Sequence, residues 1–92
     1  MRIEFKPSFD RSIKALSADD KDEIKKVAGV LIDVLSSNKP LHEGLGLKRL
    51  QGPYWEVRKG LKVRLLFRWQ KDLVEFVLAG NHEDVKRFLK SI

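Results

Sequence analysis

Residues 50–82 read LQGPYWEVRKGLKVRLLFRWQKDLVEFVLAGNH, and the reading of this stretch decides the fold. Aromatic and β-branched residues come in three short runs split by polar or glycine breaks, the signature of consecutive hairpins. The runs predict strands over Tyr54–Lys59, Lys62–Trp69 and Leu73–Ala79. Gly60 separates the first two, and Gln70-Lys71-Asp72 turns between the last two. Strand side chains point to opposite faces in turn. Val63, Leu65, Phe67 and Trp69 therefore share one face, and Lys62, Arg64, Leu66 and Arg68 the other. In the first run, Glu56 and Arg58 oppose Trp55 and Val57. One sheet face is thus apolar, and the other sets cations around a carboxylate. Function is expected on the second.

Upstream, Arg2-Ile3-Glu4-Phe5 alternates and predicts a short first strand, which Pro7-Ser8 breaks. Phe9, Ile13 and Leu16 then fall on one helical face. Ser17 is placed to cap a second helix, with Asp19, Asp20, Asp22 and Glu23 near its positive end. Ile24, Val27, Ala28, Leu31 and Leu35 form its apolar stripe, which runs to about Ser36. Gly29 within it reads as a close packing point or as a blemish. Residues 41–46 form a loop, and Leu47-Lys48-Arg49-Leu50 leads into the strands. After Gly80-Asn81, a last helix is predicted over His82–Lys90, with Val85, Phe88 and Leu89 facing inward. The pattern β-α-α-β-β-β-α predicts an α+β fold: a small, mainly antiparallel sheet, two N-terminal helices on its apolar face and a short C-terminal helix. The 92 residues make a single domain, 1–92.

With no cysteine there is no disulfide framework and no thiolate metal site. MRIEFKPSF lacks the apolar run of a signal peptide, and no stretch reaches transmembrane length, so a cytoplasmic protein is expected. The net charge of +6 is unevenly placed. Residues 1–46 carry eight Lys/Arg and eight Asp/Glu, whereas residues 47–92 carry eleven against five. Such asymmetry points to a polyanionic partner, though basic charge also serves solubility.

His42 and His82 are the only histidines, and no carboxylate cluster joins them, so neither metal nor cofactor is expected. What remains near one strand face is a set of Lys and Arg, one or two Glu, and His82. Such a set suits phosphodiester cleavage in RNA by the ribose 2′-hydroxyl. A base takes the hydroxyl proton, an acid protonates the leaving 5′-oxygen, and cations meet the charge of the phosphorane. His82 exchanges protons near neutral pH. Arg58 and Arg64 offer forks that match a phosphate. Glu56 or Glu43 is the candidate base.

Three words, LKRLQGPYWEVRKG, KVRLLF and GNHEDV, resemble in order and spacing the RelE/ParE-like superfamily of toxins from toxin–antitoxin operons. The likeness covers nearly the whole chain and implies a RelE-like fold. It also implies an endoribonuclease that cuts mRNA in the ribosomal A site and so inhibits translation, with a cognate acidic antitoxin, in a toxin–antitoxin hetero-oligomer, and the ribosome and mRNA as partners. Arg64 matches the arginine of the family's "YRL" strand, which contacts the scissile phosphate. Arg58 matches the basic or histidine position of the preceding strand, Lys48 a basic position before the "LQG" turn, and Lys62 a polar catalytic position. His82 matches the C-terminal histidine of the YafQ-like and YoeB-like branches, the general acid, and Glu56 completes the catalytic set. Arg49, Lys59, Arg68, Tyr54, Lys86 and Lys90 are the expected RNA contacts. Val63 stands where the family carries Tyr, and no aromatic directly follows His82, since Glu83, Asp84, Val85 and Lys86 do. A ParE-like gyrase poison on the same fold and a non-catalytic relative that only binds antitoxin or RNA are the alternatives.

Overall fold

The computed structural model describes residues 1–37, 46–58 and 62–92. Among the described residues, five strands and three helices run in the order β1 (Arg2–Phe5), α1 (Pro7–Lys14), α2 (Ala18–Ser36), β2 (Leu47–Gln51), β3 (Tyr54–Val57), β4 (Arg64–Gln70), β5 (Leu73–Gly80) and α3 (His82–Lys90). The strands form one sheet in the order β1-β5-β4-β3-β2, with β1 parallel to β5 and all other pairs antiparallel. The expected α+β architecture is present, with one strand more than the sequence pattern shows. Leu47–Gln51, read as a lead-in, is the edge strand β2. Its LKRLQ lacks β-branched and aromatic residues, so only pairing with β3 makes it a strand.

Helices α1 and α2 cover the apolar face. Ile24, Leu31, Val57, Leu65, Phe67, Val74 and Phe76 are the centre of that core, and Trp55, Val63 and Trp69 pack against it. Ser17 caps α2 as its position predicts, its hydroxyl accepting from the Asp20 amide at 3.1 Å. Gly29 is not a close packing point, since a Cβ there would meet nothing within 4 Å. Among the described residues, no helix is long and apolar enough to cross a membrane.

The opposite face is not simply a charged surface. Helix α3 lies on it over a second core of Leu66, Val77 and Val85, with Leu50, Tyr54, Leu78, Phe88 and Leu89 around them. A bulge in β5 makes this core possible. Leu66 pairs with Leu78 but Phe67 with Phe76, which leaves Val77 as an extra residue. Val77 and Leu78 therefore both turn toward α3, and Ala79 returns to the first core.

Strand β1 pairs with β5 only as far as Phe76. Beyond that point the outer edge of β5 would hold unpaired backbone groups in a part-buried setting. Two serines one helical turn apart on α1 complete the ladder. The Ser8 hydroxyl donates to the Val77 carbonyl at 2.6 Å, and the Ser12 hydroxyl accepts from the Ala79 amide at 2.9 Å while donating to the Phe9 carbonyl at 2.8 Å. Ser12→Ala leaves the Ala79 amide without an acceptor, so it should cost about 1–3 kcal/mol in urea unfolding. A variant unchanged in stability would show that the amide does not depend on Ser12.

Candidate functional site

The site forms where β2, β3, β4 and the start of α3 meet. Register places its members. Lys48 is opposite Glu56 across β2 and β3, and Arg64 is opposite Gly80 across β4 and β5. His82 follows Gly80 by two residues, at the first position of α3. A cleft of about 690 Å³ is lined by Gly46, Leu47, Lys48, Arg58, Lys62, Arg64 and His82. A smaller cavity of about 190 Å³ joins the same group to Glu56, Lys86 and an apolar floor of Leu50, Val85 and Leu89. All six residues expected to be catalytic thus gather in one place.

Glu56 is the buried hub, 2 % exposed. Arg58 Nε lies 3.5 Å from its Oε1, and Arg64 Nη1 lies 4.0 Å from its Oε2. A buried carboxylate is tolerated when cations face it. Arg64 Nη1 also contacts His82 Nδ1. A guanidinium can only donate, so this contact is a hydrogen bond when Nδ1 accepts and the ring proton is on Nε2. Arg64 therefore links a buried carboxylate to the His82 imidazole. Arg58 is half exposed, and Lys48, Lys62 and His82 are open to solvent. The cluster can receive an anion on its cations and present a donor at Nε2.

The expected RNA contacts are spread more widely. Lys86 borders the small cavity, and Lys90 lies one turn further along α3. Arg49 pairs opposite Trp55, on the face that carries α1 and α2, and its Nε donates to the Gly52 carbonyl at 2.9 Å. Tyr54 packs edge-on against Phe88 at 6.0 Å beneath α3, so its ring belongs to the second core rather than to the cleft. Arg68 shares a sheet face with Arg64 but sits four residues away along β4, about 13 Å at the rise of a strand. Its guanidinium donates to Glu75 at 2.9 Å and to Gln70 at 2.8 Å. Lys59, Glu43 and His42 lie outside the described residues. Helical period puts Val85 and Leu89 on one inward face, but no local period joins them to Leu50, with which they form the cavity floor. The sequence reading passed over Asn81 and Asp84, whose N-x-x-D spacing is a capping signal.

No protein-family model matches the sequence, and no curated protein matches it. Among solved structures the fold is that of bacterial and archaeal toxins of the YafQ and RelE type. A mutant of YafQ from E. coli superposes with a TM-score of 0.70 at 18 % identity, covering 91 % of this chain and 96 % of that one. YafQ in the E. coli DinJ-YafQ toxin-antitoxin complex superposes at 0.68 with 19 % identity, covering 91 % and 94 %. The RelB-RelE antitoxin-toxin complex from Methanococcus jannaschii gives 0.68 at 18 % identity over 92 % and 96 %.

The ion cluster at the far end of β4 makes a distinct prediction. Lys6 lies 3.0 Å from Glu75, and together with Arg68 it holds the Glu75 carboxyl below its ordinary value; the hydrogen bond from Lys6 is the largest cause and burial opposes it. A carboxyl lowered on folding stabilises the fold at pH values above its unfolded pKa, and that stability is lost as pH falls through the folded one. Wild-type protein should therefore lose stability as acid is added below about pH 4.5, and Glu75→Gln should show a shallower loss over the same window. Urea midpoints measured against pH decide this; parallel profiles for the two proteins would refute it.

Proposed function

We propose that this chain is the toxin of a toxin–antitoxin pair and cuts mRNA in the ribosomal A site through attack of a ribose 2′-hydroxyl on the adjacent phosphorus. The observation that carries the reading is the contact of Arg64 with His82 inside a cleft whose other walls are Lys48, Arg58 and Lys62. The shared fold with YafQ and RelE toxins supports it.

The scissile phosphate sits among these cations, where the phosphorane's added charge is stabilised as it forms. Taking up the phosphate draws Arg64 off Nδ1 of His82. The freed nitrogen binds a proton, and the imidazolium protonates the leaving 5′-oxygen from Nε2. Burial of Glu56 beneath Arg58 and Arg64 suits it to hold both arginines in place rather than to collect the hydroxyl proton. That proton passes to water in the open cleft. Lys48 and Lys62 add positive charge to the walls that face the phosphate.

The basic cleft also needs a silencing partner. An acidic, partly disordered antitoxin segment that folds on binding fits it, since such segments cover large surfaces. Long-range charge acts mainly on encounter, so raising salt should slow association far more than it speeds dissociation. Stopped-flow binding at two ionic strengths tests this, and equal association rates would count against an acidic partner.

Catalysis separates from binding in single-turnover cleavage on saturating programmed ribosomes, with affinity measured apart. Arg64→Ala should lower the bound rate by about 10²–10³-fold. His82→Ala should lower it by about 10²–10⁴-fold, the usual range for a positioned acid. Lys86→Ala and Lys90→Ala should weaken binding and reduce its salt slope by about one each, with the bound rate nearly unchanged. If the Arg64 and His82 variants cut at the wild-type rate once bound, the assignment fails; intact mRNA with broken DNA would instead favour a gyrase poison.

A further inference from the structure

His82 stands at the first position of a nine-residue helix, where chain ends commonly fray. Its contact with Arg64 nevertheless requires a defined ring position. The residues around it supply one. Asn81 caps the helix, its Oδ1 accepting from the Asp84 amide at 2.8 Å. Asp84 returns the interaction, its Oδ2 accepting from the Asn81 amide at 3.0 Å. Two backbone donors flanking His82 are thereby fixed from both sides.

Gly80 is part of the same arrangement. A Cβ there would lie 2.7 Å from Asp84 Oδ2 and 2.8 Å from Asp84 Cβ. Gly80 is not among the glycines with positive φ, so the position calls for space and not for an unusual backbone. That space is filled by the carboxylate that binds the Asn81 amide. Gly80 is also paired opposite Arg64, so the cap begins directly beyond the strand residue that faces Arg64.

We propose that Gly80, Asn81 and Asp84 form a positioning unit that sets the His82 imidazole against Arg64. The catalytic arm of its test rests on the nuclease reading above; the spectroscopic arm does not. Asp84 touches no part of the cleft itself. It acts through the Asn81 backbone, and its outer oxygen is taken by Arg87 at 3.1 Å. That last pair is exposed and contributes little to the geometry.

The experiment is NMR of histidine-labelled protein, reading the His82 ring nitrogens, with the amides of Phe88 and Leu89 reporting whether α3 stays docked. Wild type should show the Nε2–H form with Nδ1 accepting. Asp84→Ala and Gly80→Ala should shift the ring toward the averaged tautomers of a free imidazole while Phe88 and Leu89 keep their shifts. Asp84→Asn retains an acceptor oxygen and should restore the ordered ring, and Arg87→Ala should leave it unchanged. In the Asp84→Ala background, Gly80→Ala should still disturb the ring, because the Cβ of residue 84 stays 2.8 Å from the added methyl. On programmed ribosomes, Asp84→Ala should lower kcat by about 10²-fold, the scale of a small misplacement, with KM nearly unchanged and Asp84→Asn rescuing. An ordered wild-type ring in Asp84→Ala would overturn the proposal. So would loss of ring order only together with undocking of Phe88 and Leu89, which would reduce the unit to an ordinary helix cap. Wild-type protein that cleaves no RNA would remove the nuclease reading, and the ring measurement would still decide the positioning unit.

Discussion

The ladder between β4 and β5 is the interaction on which the rest of the structure depends. It runs at the centre of the sheet, and both of its faces are buried. Strand side chains alternate with a period of two, so an extra residue in one strand transfers everything after it to the opposite face. The Val77 bulge does this once. Before it, Val74 and Phe76 build the core under α1 and α2. After it, Leu78 turns to α3, and Gly80 comes opposite Arg64 on the side of the cleft. Without the bulge, Gly80 and the chain that leads to His82 would leave the strand on the wrong face.

The cleft shows how one buried carboxylate can organise a basic site. One carboxylate, Glu56, is buried under two arginines, and each arginine has a second duty in the open cleft. Removing such a carboxylate leaves the cations to repel one another, while removing a cation leaves the carboxylate uncompensated. The group is therefore held as a unit. The cost of desolvating Glu56 is met by preorganised cations, the arrangement that stabilises developing charge most effectively. No aromatic ring lines the cleft among the described residues. Tyr54 and Phe88 spend their surface on each other, and the remaining aromatic pairs lie under α1 and α2. A nucleobase held here would rest on guanidinium planes and aliphatic side chains.

Helix α3 connects stability to the site. It is short, and isolated helices of this length are marginal in water. Its apolar side, Val85, Phe88 and Leu89, is docked on the second core, and its first turn carries His82. The small second core thus has a role out of proportion to its size, because it places one wall of the cleft. The large core under α1 and α2 has the complementary role of holding β3, β4 and β5 flat against one another.

Apart from β2, the element types, the hairpins and the two faces of β3 and β4 are legible in the sequence, because period-two alternation and capping residues act over a few neighbours. It determined the Ser17 cap and the span of α3 to the residue. Alternation also put Glu56 and Arg64 on one side, whereas Arg58 and Lys62, read as strand residues, lie just outside β3 and β4. Only the tertiary structure decided the rest. Arg49, Tyr54 and Arg68 are basic or aromatic on paper, yet register carries Arg49 to the other face, Phe88 takes up Tyr54, and Glu75 engages Arg68. The strand β2, the Val77 bulge and the meeting of Gly80 with Asp84 arise between segments far apart in the chain or from a single inserted residue. Local periodicity cannot register such events, because their energy lies in long-range pairing and in space left unfilled by one missing Cβ.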